Sequence, residues 1–310
     1  MGFACDEMRL SPAAMATIAA PVPVNRFAFP AIVVGSAALA FGPWLVRLAD
    51  VAPVSSAFWR MGLAIAPLAL LARFAGGPLP AGTLDRRVLW LSALAGVFFA
   101  IDIALWHFGI VRTTLANASL LSNAASFLLP IWGFVVLRHR PGKKALLATG
   151  FALAGTVLLV GRSAELSPRH LAGDLFCLVA ALFYTAYLIV IDRLRGTVPV
   201  FPLLTLASTF AALTMLPAAL LLAGPGGFWP HDWTPLLLLA FGSQVIGQGL
   251  VVFAVGHLKP LVIGLALLIQ PAVATIIGAL RFGEIPGPAE IGGALLVVAA
   301  LVLVRLPDRG

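Results

Sequence analysis

Apolar residues run through this chain in long uninterrupted blocks, and the charged residues are confined almost entirely to the short gaps between them. The blocks are roughly twenty residues long, the length at which a helix rising 1.5 Å per residue crosses a ~30 Å hydrocarbon layer. They are apolar on every face rather than along one stripe, which suits a lipid surround and not a globular core. The pattern predicts an all-α membrane protein of ten transmembrane helices. They lie at roughly 30–48, 54–74, 88–109, 114–137, 144–161, 171–192, 199–223, 233–255, 260–281 and 287–305. Connections such as "LADVAP" (48–53) and "RHRPGKK" (138–144) are short, so successive helices should lie antiparallel and in contact. The longest gap, "AGPGGFWPHDW" (223–233), mixes Gly, Pro and Trp as an interfacial segment would.

Composition agrees with this pattern. The 310 residues are 61% hydrophobic and only 10% charged, with a mean hydropathy of +1.05, whereas soluble domains carry about 25% charged residues. The net charge of +8 comes from basic residues gathered on alternate loops, with Arg73, Arg86, Arg87, Arg138, Arg140 and Lys143 on one side. That asymmetry predicts cytoplasmic N- and C-termini in the cell inner membrane. It is not a nucleic-acid surface, which needs clustered cations interleaved with aromatics on a soluble face. Residues 1–29, with Asp6 and Glu7 near the start and Pro21 and Pro23 in the apolar part, read as a cytoplasmic tail rather than a cleaved signal. Residues 306–310 form a second tail. Cys5 and Cys177 are two unrelated thiols.

The chain also echoes itself. A shift of 145 positions lays "HRPGKKALLATGFALAG" (139–155) over "EIPGPAEIGGALLVVAA" (284–300), Gly133 over Gly278 and Phe108 over Phe253. Five spans per half, 30–161 and 171–305, invert the second copy relative to the first, an arrangement that puts a binding site near the midplane between the halves.

Three segments carry a family resemblance: "APVSSAFWRMGLAIAPLAL", "GHLKPLVIGLALLIQPAVATIIGALRFGE" and "GPAEIGGALLVVAALVLV". Over about residues 30–305 the chain resembles the drug/metabolite transporter superfamily with its five-helix EamA repeat, and within it is similar to the YddG-type amino-acid exporters. The resemblance implies two inverted five-helix repeats and export of small metabolites. The first repeat departs from the pattern. It has His139 where the second has Glu284, and Pro130 falls four residues later than Pro271 predicts.

Candidate chemistry lies in the polar residues at membrane depth, where a central charge costs about 2.5–3.5 kcal/mol and so needs a task. Arg60 and Asp102 sit about seven and eight residues inside the same ends of neighbouring helices, so their depths agree within ~2 Å. They can form a structural ion pair, or bind the carboxylate and ammonium of a zwitterion. Trp106, one turn beyond Asp102, shares its face. Ser119, Ser122, Asn123 and Ser126 form a polar stripe that serves either packing or a cavity. Gln244 and Gln248, one turn apart, are candidates for the cavity wall. Gln270 precedes Pro271, whose missing N–H frees a carbonyl near Leu267. Trp44, Trp59 and Tyr184 complete the cavity candidates, and Tyr187 also lies within a span. Pro43, Pro67, Pro130 and Pro271 are hinge or gate candidates. His107 is expected to be hydrated near the outer edge.

The sequence holds no Walker loop, because Gly142-Lys143-Lys144 lacks the spacing and the Ser/Thr, and neither HExxH nor GxSxG occurs. These readings predict a carrier that is not an enzyme, with no metal or cofactor. It would export small metabolites, amino acids with aromatic or apolar side chains foremost, by alternating access, with a proton as a candidate coupled ion. It would act in the lipid bilayer with no requirement to oligomerise. Export of other metabolites or drugs, a channel, and a membrane-embedded enzyme are the alternatives.

Overall fold

The computed structural model describes residues 25–75, 83–113, 115–125, 128–129, 132–133, 142–160, 168–224, 227–282 and 288–305. Among the described residues every regular element is helical. In chain order these are α1 (Ala28–Leu39), α2 (Gly42–Leu48), α3 (Pro53–Ala75), α4 (Arg86–Ile110), α5 (Leu115–Ser122), α6 (Lys143–Val160), α7 (Pro168–Leu194) and α8 (Val200–Leu221). There follow α9 (Thr234–Leu238), a π-helical segment (Leu239–Gly247), α10 (Gln248–Val255), α11 (Pro260–Leu267), α12 (Ile269–Phe282) and α13 (Pro288–Arg305). Six spans among the described residues are long and apolar enough to cross a bilayer: Ala28–Leu48, Pro53–Phe74, Arg86–Ile110, Leu171–Leu194, Val200–Leu221 and Thr234–Val255. Helices meet the demand of lipid that each backbone N–H and C=O be satisfied within its own segment. Leu221, Leu280, Phe74 and Trp90 stand on the outside of the bundle, as befits a multi-pass membrane protein.

At the centre is α4, packed against α7 on one side and α8 on another. Its start is capped by Asp85, which accepts the backbone N–H of Val88 at 2.7 Å. Its end is closed by Arg47, which donates to the carbonyls of Ile110 (3.2 Å) and Thr113 (2.8 Å). Small residues let the helices meet along their backbones. A Cβ on Gly96 would stand 2.5 Å from Phe210 Cβ and 2.9 Å from the Ala207 carbonyl. Just beyond the end of α4, Thr113 Oγ1 donates to Asp174 Oδ1 of α7 at 2.5 Å.

The connection before α9 folds back over the loop between α2 and α3. Asp50 Oδ2 accepts from the backbone N–H groups of His231 (2.9 Å) and Asp232 (3.3 Å) and lies 3.2 Å from the His231 ring. Trp59 Nε1 donates to the Phe228 carbonyl at 2.7 Å, and its ring meets Phe228, Trp229 and Trp233 at 5.0–5.2 Å. Desolvation pushes the Asp50 carboxyl up, but hydrogen bonds from the backbone N–H groups of His231, Asp232 and Asp50 and from the His231 ring together outweigh it and hold it below 3.8.

Candidate functional site: a polar chamber between the helices

The prolines prepare the site by interrupting helices. Pro43 stands in the first turn of α2, after the break at Ala40–Phe41. A proline there loses nothing, since that N–H has no intrahelical partner. Pro271 has no N–H to give the Leu267 carbonyl four residues back, and the helix breaks at Leu268 between α11 and α12. Pro67 is carried inside a continuous α3, and so is Pro217 inside α8, which the sequence reading had not singled out. Pro130 lies outside the described residues.

Leu39 and Leu267, the last residues before the two breaks, open onto one chamber. Arg60 of α3 reaches it, with Phe99, Asp102, Ile103 and Trp106 of α4, Ser122 and Asn123 at the end of α5, Tyr184 of α7, Gln248 of α10 and Gln270 of α12. About 50 Å³ of it is open to the centres of water-sized molecules, roughly three to five waters' worth. Seven of the sequence's cavity candidates are thus brought together: Arg60, Asp102, Trp106, Asn123, Tyr184, Gln248 and Gln270.

Arg60 and Asp102 are 2% and 6% exposed. They feel one another electrostatically, yet no guanidinium nitrogen lies within the 4.0 Å of a salt bridge to the carboxylate. Arg60 Nε and Nη1 and the Trp106 indole N–H are buried without a hydrogen-bond partner among the described residues. The Arg60 guanidinium stands 5.7 Å from the Trp106 ring centroid, within reach of a cation–π attraction. Tyr184 donates to Gln248 Oε1 at 3.3 Å. Behind it Phe99 stacks on Tyr187 at 4.4 Å, and Tyr187 lies 5.9 Å from Tyr184, so one wall is aromatic. Asn123 turns its amide onto the Ser119 carbonyl.

The other candidates lie elsewhere. Trp59 is held in the aromatic cluster with residues 228–233. Trp44 lies under the Arg281 guanidinium at 4.7 Å. Gln244 is buried away from the chamber, its Nε2 donating to Ser208 Oγ of α8 at 3.2 Å. Of two amides whose sequence spacing suggests one face, Gln248 thus reaches the chamber, whereas Gln244 turns to Ser208. The structure places His107 inside the bundle and not at its outer edge. It is fully buried, and its Nδ1 lies 3.2 Å from the Pro53 carbonyl and 3.1 Å from Ser56 Oγ. A ring nitrogen facing a carbonyl oxygen must carry the proton, so His107 ties α4 to the start of α3.

Residues 26–161 and again 171–306 match the EamA-like transporter family. The chain belongs to that family. It is 24% identical over 264 residues to an uncharacterized transporter of Archaeoglobus fulgidus, a match spanning 83% of this chain and 89% of the relative. A solved crystal structure superposes with a TM-score of 0.71 at 19% identity, over 92% of this chain and 98% of that one. That likeness concerns the fold. Membership makes this multi-pass protein a membrane transporter, a class that acts on small molecules in a lipid setting. The chamber is where its polar side chains converge.

Proposed function

We propose that this EamA-family transporter is a secondary carrier that exports small metabolites, foremost amino acids with aromatic or apolar side chains, by alternating access around the chamber. The observation that carries this reading is the separation of Arg60 from Asp102 on one chamber wall. In contact the pair would gain about 4 kcal/mol at an effective dielectric near 20. Held apart, each keeps hydrogen-bonding capacity for a molecule that brings both charges. An amino-acid carboxylate takes the Arg60 guanidinium, and the ammonium takes the Asp102 carboxylate. The substrate side chain then lies along Trp106 and the Phe99–Tyr187–Tyr184 wall.

In this reading ten spans form two inverted repeats, 30–161 and 171–305, flanked by cytoplasmic tails 1–29 and 306–310 in the inner membrane. Support comes from the chamber walls, which draw on both halves: Arg60 and Asp102 from the first, Gln248 and Gln270 from the second. The breaks at Ala40–Phe41 and Leu268 supply bending points as the halves rock. Asp102, free of a direct ion pair, takes a proton when the ammonium leaves, and so can exchange one cargo for the other across the membrane.

The test is counterflow. Purified protein in liposomes preloaded with unlabelled amino acid should take up the labelled form transiently above equilibrium and with saturation. Flux that rises linearly with concentration would mean a pore, and absence of counterflow across an amino-acid panel would reject the substrate class.

A further inference from the structure

Arg195 stands just past the end of α7, and its guanidinium lies across Gly256, the residue that closes α10. A Cβ built on Gly256 would stand 2.9 Å from Arg195 Nε, 2.9 Å from Nη2 and 3.2 Å from Cζ. Gly256 has a φ of −74°, which any residue adopts. The glycine is therefore there for room, and the guanidinium fills the room. Among the described residues, nothing bonds to it in return. Arg195 Nε is buried without a hydrogen-bond partner, and no carboxylate lies within the 4.0 Å of an ion pair.

A cation at the end of a helix ordinarily caps the last carbonyls, but here two of these are already taken. The Ala254 carbonyl accepts from the backbone N–H groups of His257 and Leu258 at 2.9 Å, and the Phe253 carbonyl from His257 Nδ1 at 2.8 Å. Asp192 feels Arg193 and Arg195 electrostatically without pairing with either. Arg193 and Lys259, both exposed, stand close by in the chain and leave the notch positive. Its level decides what fits it. Leu171–Leu194 and Thr234–Val255 are long and apolar enough to cross a bilayer, so Arg195 and Gly256 lie where hydrocarbon gives way to headgroups. Basic pockets between helices at that level suit anionic headgroups, and the fork of a guanidinium matches two oxygens of a phosphate.

We propose that the notch between Arg195 and Gly256 binds the phosphate of an anionic phospholipid. Arg195 holds the phosphate through its terminal N–H groups, and Arg193 and Lys259 favour a headgroup of net negative charge. The bound lipid ties the end of α7 to the end of α10 from the membrane side. This claim stands apart from the transport reading and from the nature of the cargo.

The experiment uses the full-length protein, stripped of lipid in a neutral detergent and titrated with phosphatidylglycerol, with bound lipid counted by native mass spectrometry. Phosphatidylglycerol should bind at least about tenfold more tightly than phosphatidylcholine. Arg195→Gln should weaken it at least about fivefold. Gly256→Ala keeps every charge but pushes the guanidinium from its seat, and should weaken binding as much. Arg86→Gln removes one charge elsewhere on the same end of the bundle and should stay within about twofold. Equal losses in Arg195→Gln and Arg86→Gln, or no loss in Gly256→Ala, would reduce the site to diffuse charge and overturn the proposal. Equal binding of the two lipids, or no binding of phosphatidylglycerol, would overturn it as well. Inorganic phosphate forms the last arm. It should leave the lipid-free melting temperature unchanged; a rise that Arg195→Gln abolishes would make the occupant a free anion and not a lipid.

Discussion

Changing Asp102 to Asn keeps the shape of the chamber wall and deletes its negative charge. At 4 Å two unit charges interact by about 4 kcal/mol at an effective dielectric near 20, and by about 2 at twice that distance. Arg60 and Asp102 lie beyond 4.0 Å. A double-mutant cycle of Arg60→Gln and Asp102→Asn on unliganded stability should therefore give a coupling below the roughly 4 kcal/mol of a contact pair. The cargo makes larger demands. A hydrogen bond to a charged group contributes about 1.5–3 kcal/mol, so Asp102→Asn should weaken amino-acid binding roughly 10- to 150-fold. The same variant should leave the deaminated carboxylic acid within about threefold, and Arg60→Gln should mirror this with the decarboxylated amine. Isothermal titration of detergent-solubilised protein with the three ligands reads each arm. If Asp102→Asn penalised the amino acid and its deaminated analogue equally, the carboxylate would not be meeting the ammonium, and the zwitterion argument would fall.

Three further outcomes follow from the packing. Gly96→Ala puts a methyl group against main-chain atoms of Ala207 and Ala211 that cannot turn aside, and should cost about 3 kcal/mol, read as a lower melting temperature with cargo affinity little changed. Gly42→Ala presses on the edge of the Trp106 ring, which can move; shifted from the Arg60 face it forfeits a cation–π contact of about 0.5–2 kcal/mol, so binding should weaken while the fold survives. The Asp50 carboxyl is held below 3.8 by the His231 and Asp232 N–H groups; a depressed acid stabilises above its unfolded value and loses that contribution as pH falls through its folded one. Tryptophan emission from Trp59, Trp229 and Trp233 should therefore shift as pH drops below about 4, and Asp50→Asn should abolish the transition.

The pattern of apolar runs made the helices legible because lipid allows few alternatives to them. That Arg60 and Asp102 reach one chamber was legible too. Two charges at equal depth on adjacent helices, with Trp106 one turn further on, constrain each other strongly. Helical spacing pairs Gln244 with Gln248, but the Gln244 amide turns to Ser208 of α8, 36 residues earlier. His107 was expected in water because its partners, the Pro53 carbonyl and the Ser56 hydroxyl, come from a helix more than fifty residues earlier. Trp59 belongs to a loop 169 residues away, a contact that only the closed bundle creates. Trp44 likewise finds Arg281 through tertiary packing alone. In each case the deciding neighbour was remote in the chain.

The interruptions after Leu39 and Leu267 have a consequence for comparing this protein with its kin. Where a helix stops, its last carbonyls and the first N–H groups of the next piece carry fractional charge, so part of the chamber's electric field arises from main chain and not from any residue's identity. A relative with every lining side chain conserved but an unbroken first helix would present a different potential to the same cargo. Selectivity in this group should thus follow the positions of helix breaks as closely as the lining residues, and mending the break within "AFGPW" with Gly42 retained, so that Trp106 is not pressed, should alter cargo preference without replacing a single lining side chain.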